Sequence, residues 1–100
     1  MGEGVSKEDK LPFADVELET PVLEVTPESP HEDLLQMGLI YSTGLGVEED
    51  FVEAHKWFNL AALKGNEAAK EYRKNLADEM SSFEIAEAQK SARMWLSLMN

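Results

Sequence analysis

Apolar residues recur at three- and four-residue steps through the chain beyond residue 30, broken by short polar or glycine-bearing stretches. Leu34, Met37, Gly38 and Tyr41 share one face of a helix over about residues 30–43. Phe51, Ala54, Trp57 or Phe58, and Ala61 repeat the spacing over about 51–64. Ala69, Tyr72, Leu76 and Met80 stripe a third helix, about 67–80. Phe83, Ile85, Ala88, Ala92, Trp95, Leu96 and Met99 stripe a fourth, about 82–98. The pattern predicts an all-α fold.

The boundaries carry their own chemistry. Ser29-Pro30-His31-Glu32 reads as an N-cap, a proline at the first helical position and the acid of a capping box. Asp50 with Glu53, and Ser81 with Glu84, repeat the box, while Asn66 starts the third helix. Gly44 falls where a left-handed C-cap wants glycine, Gly46 frees a second loop position, and Gly65 closes the second helix. Gly38 and Ala54 are small enough for two helices to cross closely, with Tyr41, Trp57 and Phe58 filling the volume around them.

Met37-Gly38-x-x-Tyr41-x-x-Gly44-x-Gly46-Val47-x-x-Asp50-x-x-x-Ala54-x-x-Trp57-x-x-x-Ala61-Ala62-x-x-Gly65 resembles the Sel-one-like repeat, a relative of the tetratricopeptide repeat. The likeness runs from about His31 to Ala69, with Met37 where the family usually has Leu and Phe58 where Tyr is common. It implies an α-α hairpin that recognises other proteins and has no chemistry of its own. The last two helices read as a worn second copy. A shift of 38 sets Ala54, Trp57 and Phe58 on Ala92, Trp95 and Leu96, whereas a shift of 36 sets Gly38 opposite Lys74 and Gly44 opposite Met80. The expected architecture is two antiparallel hairpins stacked as a short right-handed solenoid over residues 30–100, the second serving as a cap. In the parent architecture the first helix of each hairpin lines the binding face. That nominates Leu35, Leu39 and Thr43 with Glu71, Asn75 and Asp78, a surface suited to basic and aliphatic partner residues.

Residues 1–29 carry eight acids, two bases and Pro12, Pro21 and Pro27, which predicts a disordered acidic arm with a local net charge of −6. Val16, Leu18, Val22, Leu23 and Val25 alternate loosely with its acids, as a solubilising tail or a short extended binding motif would. The opening Met1-Gly2-Glu3-Gly4-Val5-Ser6 fits the bare N-myristoylation pattern but is read as a chance match, because no polybasic patch follows.

Charge and composition narrow the function. A net charge of −11 disfavours nucleic acid and anionic membranes as partners. There is no cysteine and no apolar run of membrane length, so a cytoplasmic protein without cofactor or metal is expected. His31 and His55 read as solvated surface residues, and no nucleophile elbow or phosphate loop is present, so the chain reads as non-enzymatic. Trp57 and Trp95 read as core, Met94 and Met99 as gap-fillers, and Lys70, Lys74, Lys90 and Arg93 as surface charge. The leading expectation is a small adaptor or scaffold that binds another protein or peptide, as a monomer or weak homo-oligomer. A self-associating solenoid fragment and a regulatory inhibitor acting through the acidic arm are the rival readings.

Overall fold

The computed structural model describes residues 24–98, so most of the expected arm, the myristoylation-like start and Met99 lie outside the described residues. Among the described residues, four helices follow in order: α1 (His31–Thr43), α2 (Phe51–Leu63), α3 (Glu67–Ala77) and α4 (Ser82–Leu98). No strand occurs among the described residues.

Local chemistry sets most of the boundaries. Asp50 caps α2 by accepting from the Glu53 N–H at 3.1 Å. Glu53 does not complete the box, since its carboxylate takes Lys56 at 2.8 Å while the Asp50 N–H donates to the Tyr41 carbonyl at 3.0 Å. Asn66 caps α3 through Ala69 N–H at 2.7 Å. The box before α4 forms in both directions, with Ser81 N–H on Glu84 at 2.9 Å and Glu84 N–H on Ser81 Oγ at 3.1 Å. Gly44 ends α1 at φ 74°, its N–H donating to the Ile40 carbonyl at 2.9 Å.

Two boundaries differ from the expectation. Ser29 does not cap α1, because its hydroxyl accepts from Thr26 N–H at 2.8 Å in a preceding turn. Pro30, extended at φ −62° and ψ 150°, stands at the cap position without a side-chain bond. α3 stops at Ala77 rather than near Met80. No glycine follows it, and the chain instead tightens through Glu79 N–H to Leu76 and Met80 N–H to Ala77.

The core gathers on α2. Its Ala54, Trp57, Phe58, Leu60, Ala61 and Ala62 are all buried. Leu34 and Met37 of α1, Ala69 of α3 and Ala92 of α4 meet that helix in one cluster. Trp95 comes from α4 to set its ring 5.1 Å from Trp57 at 78°, an edge-to-face pair.

α1 lies closest to α2, at Gly38. A methyl group there would collide with the buried Phe58 ring, so only glycine admits this crossing. α3 and α4 also pack on α2, but contacts among α1, α3 and α4 are slight. The second pair is therefore splayed across α2 rather than closed like the first. At the 36-residue offset α3 carries the exposed Lys74 where α1 offers Gly38.

Residues that the sequence placed in the arm fasten on this body. Val25 packs against the core, and Lys64 Nζ donates to the carbonyls of Pro27 and Ser29 at 2.5 and 2.7 Å. Two further expectations fail on burial. Phe83 is 72% exposed although it lies on the expected stripe of α4, and Met94 is 53% exposed rather than filling a gap. Both sit on the side of α4 that α2 leaves free.

Candidate functional site

α3 stands between two depressions of opposite character. The first is a groove of about 210 Å³ lined by Ser42 of α1, Phe51 and Phe58 of α2, and Tyr72, Asn75 and Leu76 of α3, with Glu79 just beyond. Tyr72 lies almost parallel to Phe58, ring centres 5.3 Å apart, and keeps 43% of its surface in solvent. An aromatic floor is thus left half open. Nearby Tyr41 has its phenol pKa pushed above the usual value by burial first, then by the negative charges of Glu53 and Asp50. This end of the molecule is apolar and acidic.

The second depression is a cleft of about 600 Å³ between α3 and α4, floored by α2. His55 and Asn59 come from α2, Lys70, Glu71, Arg73, Lys74 and Ala77 from α3, and Ile85 and Gln89 from α4. Arg73 Nη1 donates to Asn59 Oδ1 at 2.6 Å, which orients the guanidinium. His55 is buried at 3% exposure, with Nδ1 lacking a hydrogen-bond partner among the described residues. Burial lowers its pKa, and the Arg73 charge lowers it further.

Both histidines depart from the expectation of solvated surface residues. His55 lies on the side of α2 that α3 and α4 cover, which periodicity within α2 alone does not reveal. His31 is half-buried, its Nδ1 2.9 Å from Asn66 Nδ2, so the cap of α3 also ties to the start of α1. Lys56 is buried too, with Nζ 4.2 Å from the centre of the Trp57 ring and paired to Glu53.

The six nominated partner-binding residues are dispersed. Leu35 is half-buried and packs against the core, and Leu39 is half-buried on α1. Thr43 is exposed, its hydroxyl donating to the Leu39 carbonyl at 2.7 Å. Asn75 lines the aromatic groove, exposed Asp78 follows the end of α3, and Glu71 lines the cleft on the other side. The residues missed by periodicity are Phe51, Tyr72 and Leu76 as groove lining and His55, Asn59, Arg73 and Lys74 as cleft lining. One signal for the cleft was present: Lys70, Arg73, Lys74 and Ala77 share a helical face.

Gly38, Ala54, Trp57, Ala61 and Ala62 are buried at the α1–α2 contact or beneath α3 and α4, and Tyr41 is half-buried beside them. Gly44, Gly46 and Gly65 adopt positive φ, and Asp50 caps α2. Among the described residues, no group of three or more His, Asp or Glu side chains is placed to hold a metal, and no helix is long and apolar enough to cross a membrane.

Residues 31–66 match the family model described as Sel1 repeat, and one repeat is detected. The match spans α1, α2 and the cap of α3. No curated protein and no solved structure matches the chain. Sel1 repeats are helical modules that generally mediate protein–protein interaction and are typically non-enzymatic.

Proposed function

We propose that this chain, one Sel1 repeat extended by a splayed helix pair, is a small non-enzymatic adaptor that holds a partner segment in the aromatic groove beside α3. The observation that carries the reading is a groove in which Tyr72, stacked on the buried Phe58, stays 43% exposed beside Phe51 and Leu76 under a rim of Asn75 and Glu79. A large aromatic left partly wet beside polar groups is the composition of a recognition patch. The rim acid Glu79 suits a basic residue, while the floor suits aliphatic ones. Of the nominated residues, Asn75 lines this groove. Leu35 belongs to the core, and Glu71 to the neighbouring cleft.

The test uses a fluorescein-labelled ten-residue peptide of alternating Lys and Leu, with binding to the full chain followed by anisotropy. Saturable binding that Glu79→Lys weakens at least tenfold, with the far-UV spectrum unchanged, is the expected result. Equal binding by the variant would move the site away from the groove. Light scattering of the full chain separates a monomeric adaptor from a self-associating solenoid fragment.

A further inference from the structure

The cleft between α3 and α4 concentrates positive charge on a chain that has little of it. Three of the nine Lys and Arg residues, Lys70, Arg73 and Lys74, line it against a single acid, Glu71. Elsewhere the balance is strongly negative, since the whole chain carries −11. An acidic ligand is therefore repelled by most of the surface and drawn to this one place.

The cations are arranged as well as collected. Asn59 fixes one nitrogen of the half-buried Arg73, and the rest of the guanidinium fork meets no carboxylate among the described residues. Such a fork matches a carboxylate through two parallel hydrogen bonds. Lys74 also has no ion-pair partner among the described residues. Lys70 reaches Glu67 at 3.1 Å, but both side chains are largely exposed, so the pair exchanges readily with a ligand. Ala77 and Ile85 add apolar wall and Gln89 an amide, in a space large enough for several side chains.

We infer that this cleft binds an acidic, aliphatic peptide segment of another protein. Arg73 grips one carboxylate, Lys74 a second, and Ile85 with Ala77 takes an aliphatic side chain between them. The inference rests on the interaction-module reading but not on the aromatic groove. With two opposed grooves on one helix, the chain has the form of a bridge between an acidic and a basic segment.

The experiment repeats the anisotropy titration on the full chain with a labelled ten-residue peptide of alternating Glu and Val. Saturable binding is expected, weakening as salt rises. Lys74→Glu and Arg73→Gln should each weaken it at least tenfold. Arg73→Lys keeps the charge, loses the fork, and should fall between. Each variant's melt is recorded, and the exposed Lys74 decides the outcome if the Arg73 variants unfold. Glu79→Lys should leave this binding intact, and a full chain that binds the Glu-Val peptide but not the Lys-Leu peptide would overturn the groove and spare the cleft. Absence of saturable binding both in the parent and after Asp15, Glu17 and Glu19 are changed to Asn and Gln, or equal binding by Lys74→Glu, overturns the cleft. Binding that emerges only after Asp15, Glu17 and Glu19 are changed to Asn and Gln would give the cleft to the chain's own N-terminal segment and overturn the assignment to a partner.

Discussion

Gly38 and Phe58 decide more about this molecule than their size suggests. The Phe58 ring rests on the backbone of α1 where a Cβ would stand, and at 1% exposure it has nowhere to retreat. Gly38→Ala should therefore destabilise the fold by about 1–3 kcal/mol, the usual cost of overpacking. The better helix propensity of alanine, worth up to ~1 kcal/mol, offsets only part of that. A Tm equal to or above the parent's would show that the crossing has slack. Trp57→Ala should cost ~3–5 kcal/mol, because it empties the centre of the cluster and strips Trp95 of its partner. A cooperative melt near the parent's would refute that central place. His55 gives a pH dependence. Its folded pKa lies below the ordinary 6.5, so the unfolded chain takes up the proton first as pH falls. Its contribution is fully present above 6.5 and is lost as pH drops below it toward the folded value. Urea midpoints compared just above and below that window should fall in the parent and fall less in His55→Asn. Equal slopes would mean that the ring is solvated.

Among the helices, the caps behave as local chemistry and the stripes do not. The Ser81–Glu84 box closes in both directions, so Ser81→Ala should cost about 1 kcal/mol and speed amide exchange in the first turn of α4. Unchanged exchange there would mean that α2 alone holds the turn. Pairing of elements follows side chains that single-helix periodicity does not weigh. α1 meets α2 at a glycine and closes on it, whereas α3 carries Lys74 at the matching place and remains apart from α4.

Across the whole domain, α2 is the shared support, and the short run before α1 is part of what surrounds it. Val25 lies on the core, and Lys64 draws in the carbonyls of Pro27 and Ser29. We expect a chain begun at residue 24 to melt close to the full chain. One begun at residue 30 should lose roughly 1–2 kcal/mol, from one half-buried aliphatic side chain and hydrogen bonds at an exposed lysine. Equal melts for both would return residues 24–29 to the arm. Charge separates the two sides of α3 at this scale, so the two peptides described above should compete for nothing. Mutual displacement would merge the two sites into one.

The four helices of the described residues, the glycine turns at Gly44, Gly46 and Gly65, the caps at Asp50, Asn66 and Ser81, and the one repeat over residues 31–66 were all legible in the order of the residues. Each of the helices, turns and caps depends on groups within about four residues of one another, a range over which backbone hydrogen bonding and side-chain spacing suffice. Ser29 escaped because two local turns competed for one hydroxyl, and Thr26 won it. Packing between helices was needed to make α2 the support, to bury His55 and Lys56, and to turn Phe83 and Met94 outward. It also put Glu71 and Asn75, one helical turn apart, into different depressions. An amphipathic stripe says that a face is covered but not by which helix or how closely. The distance of approach depends on the residue at the point of contact, and at Gly38 the missing Cβ lets α1 close on α2.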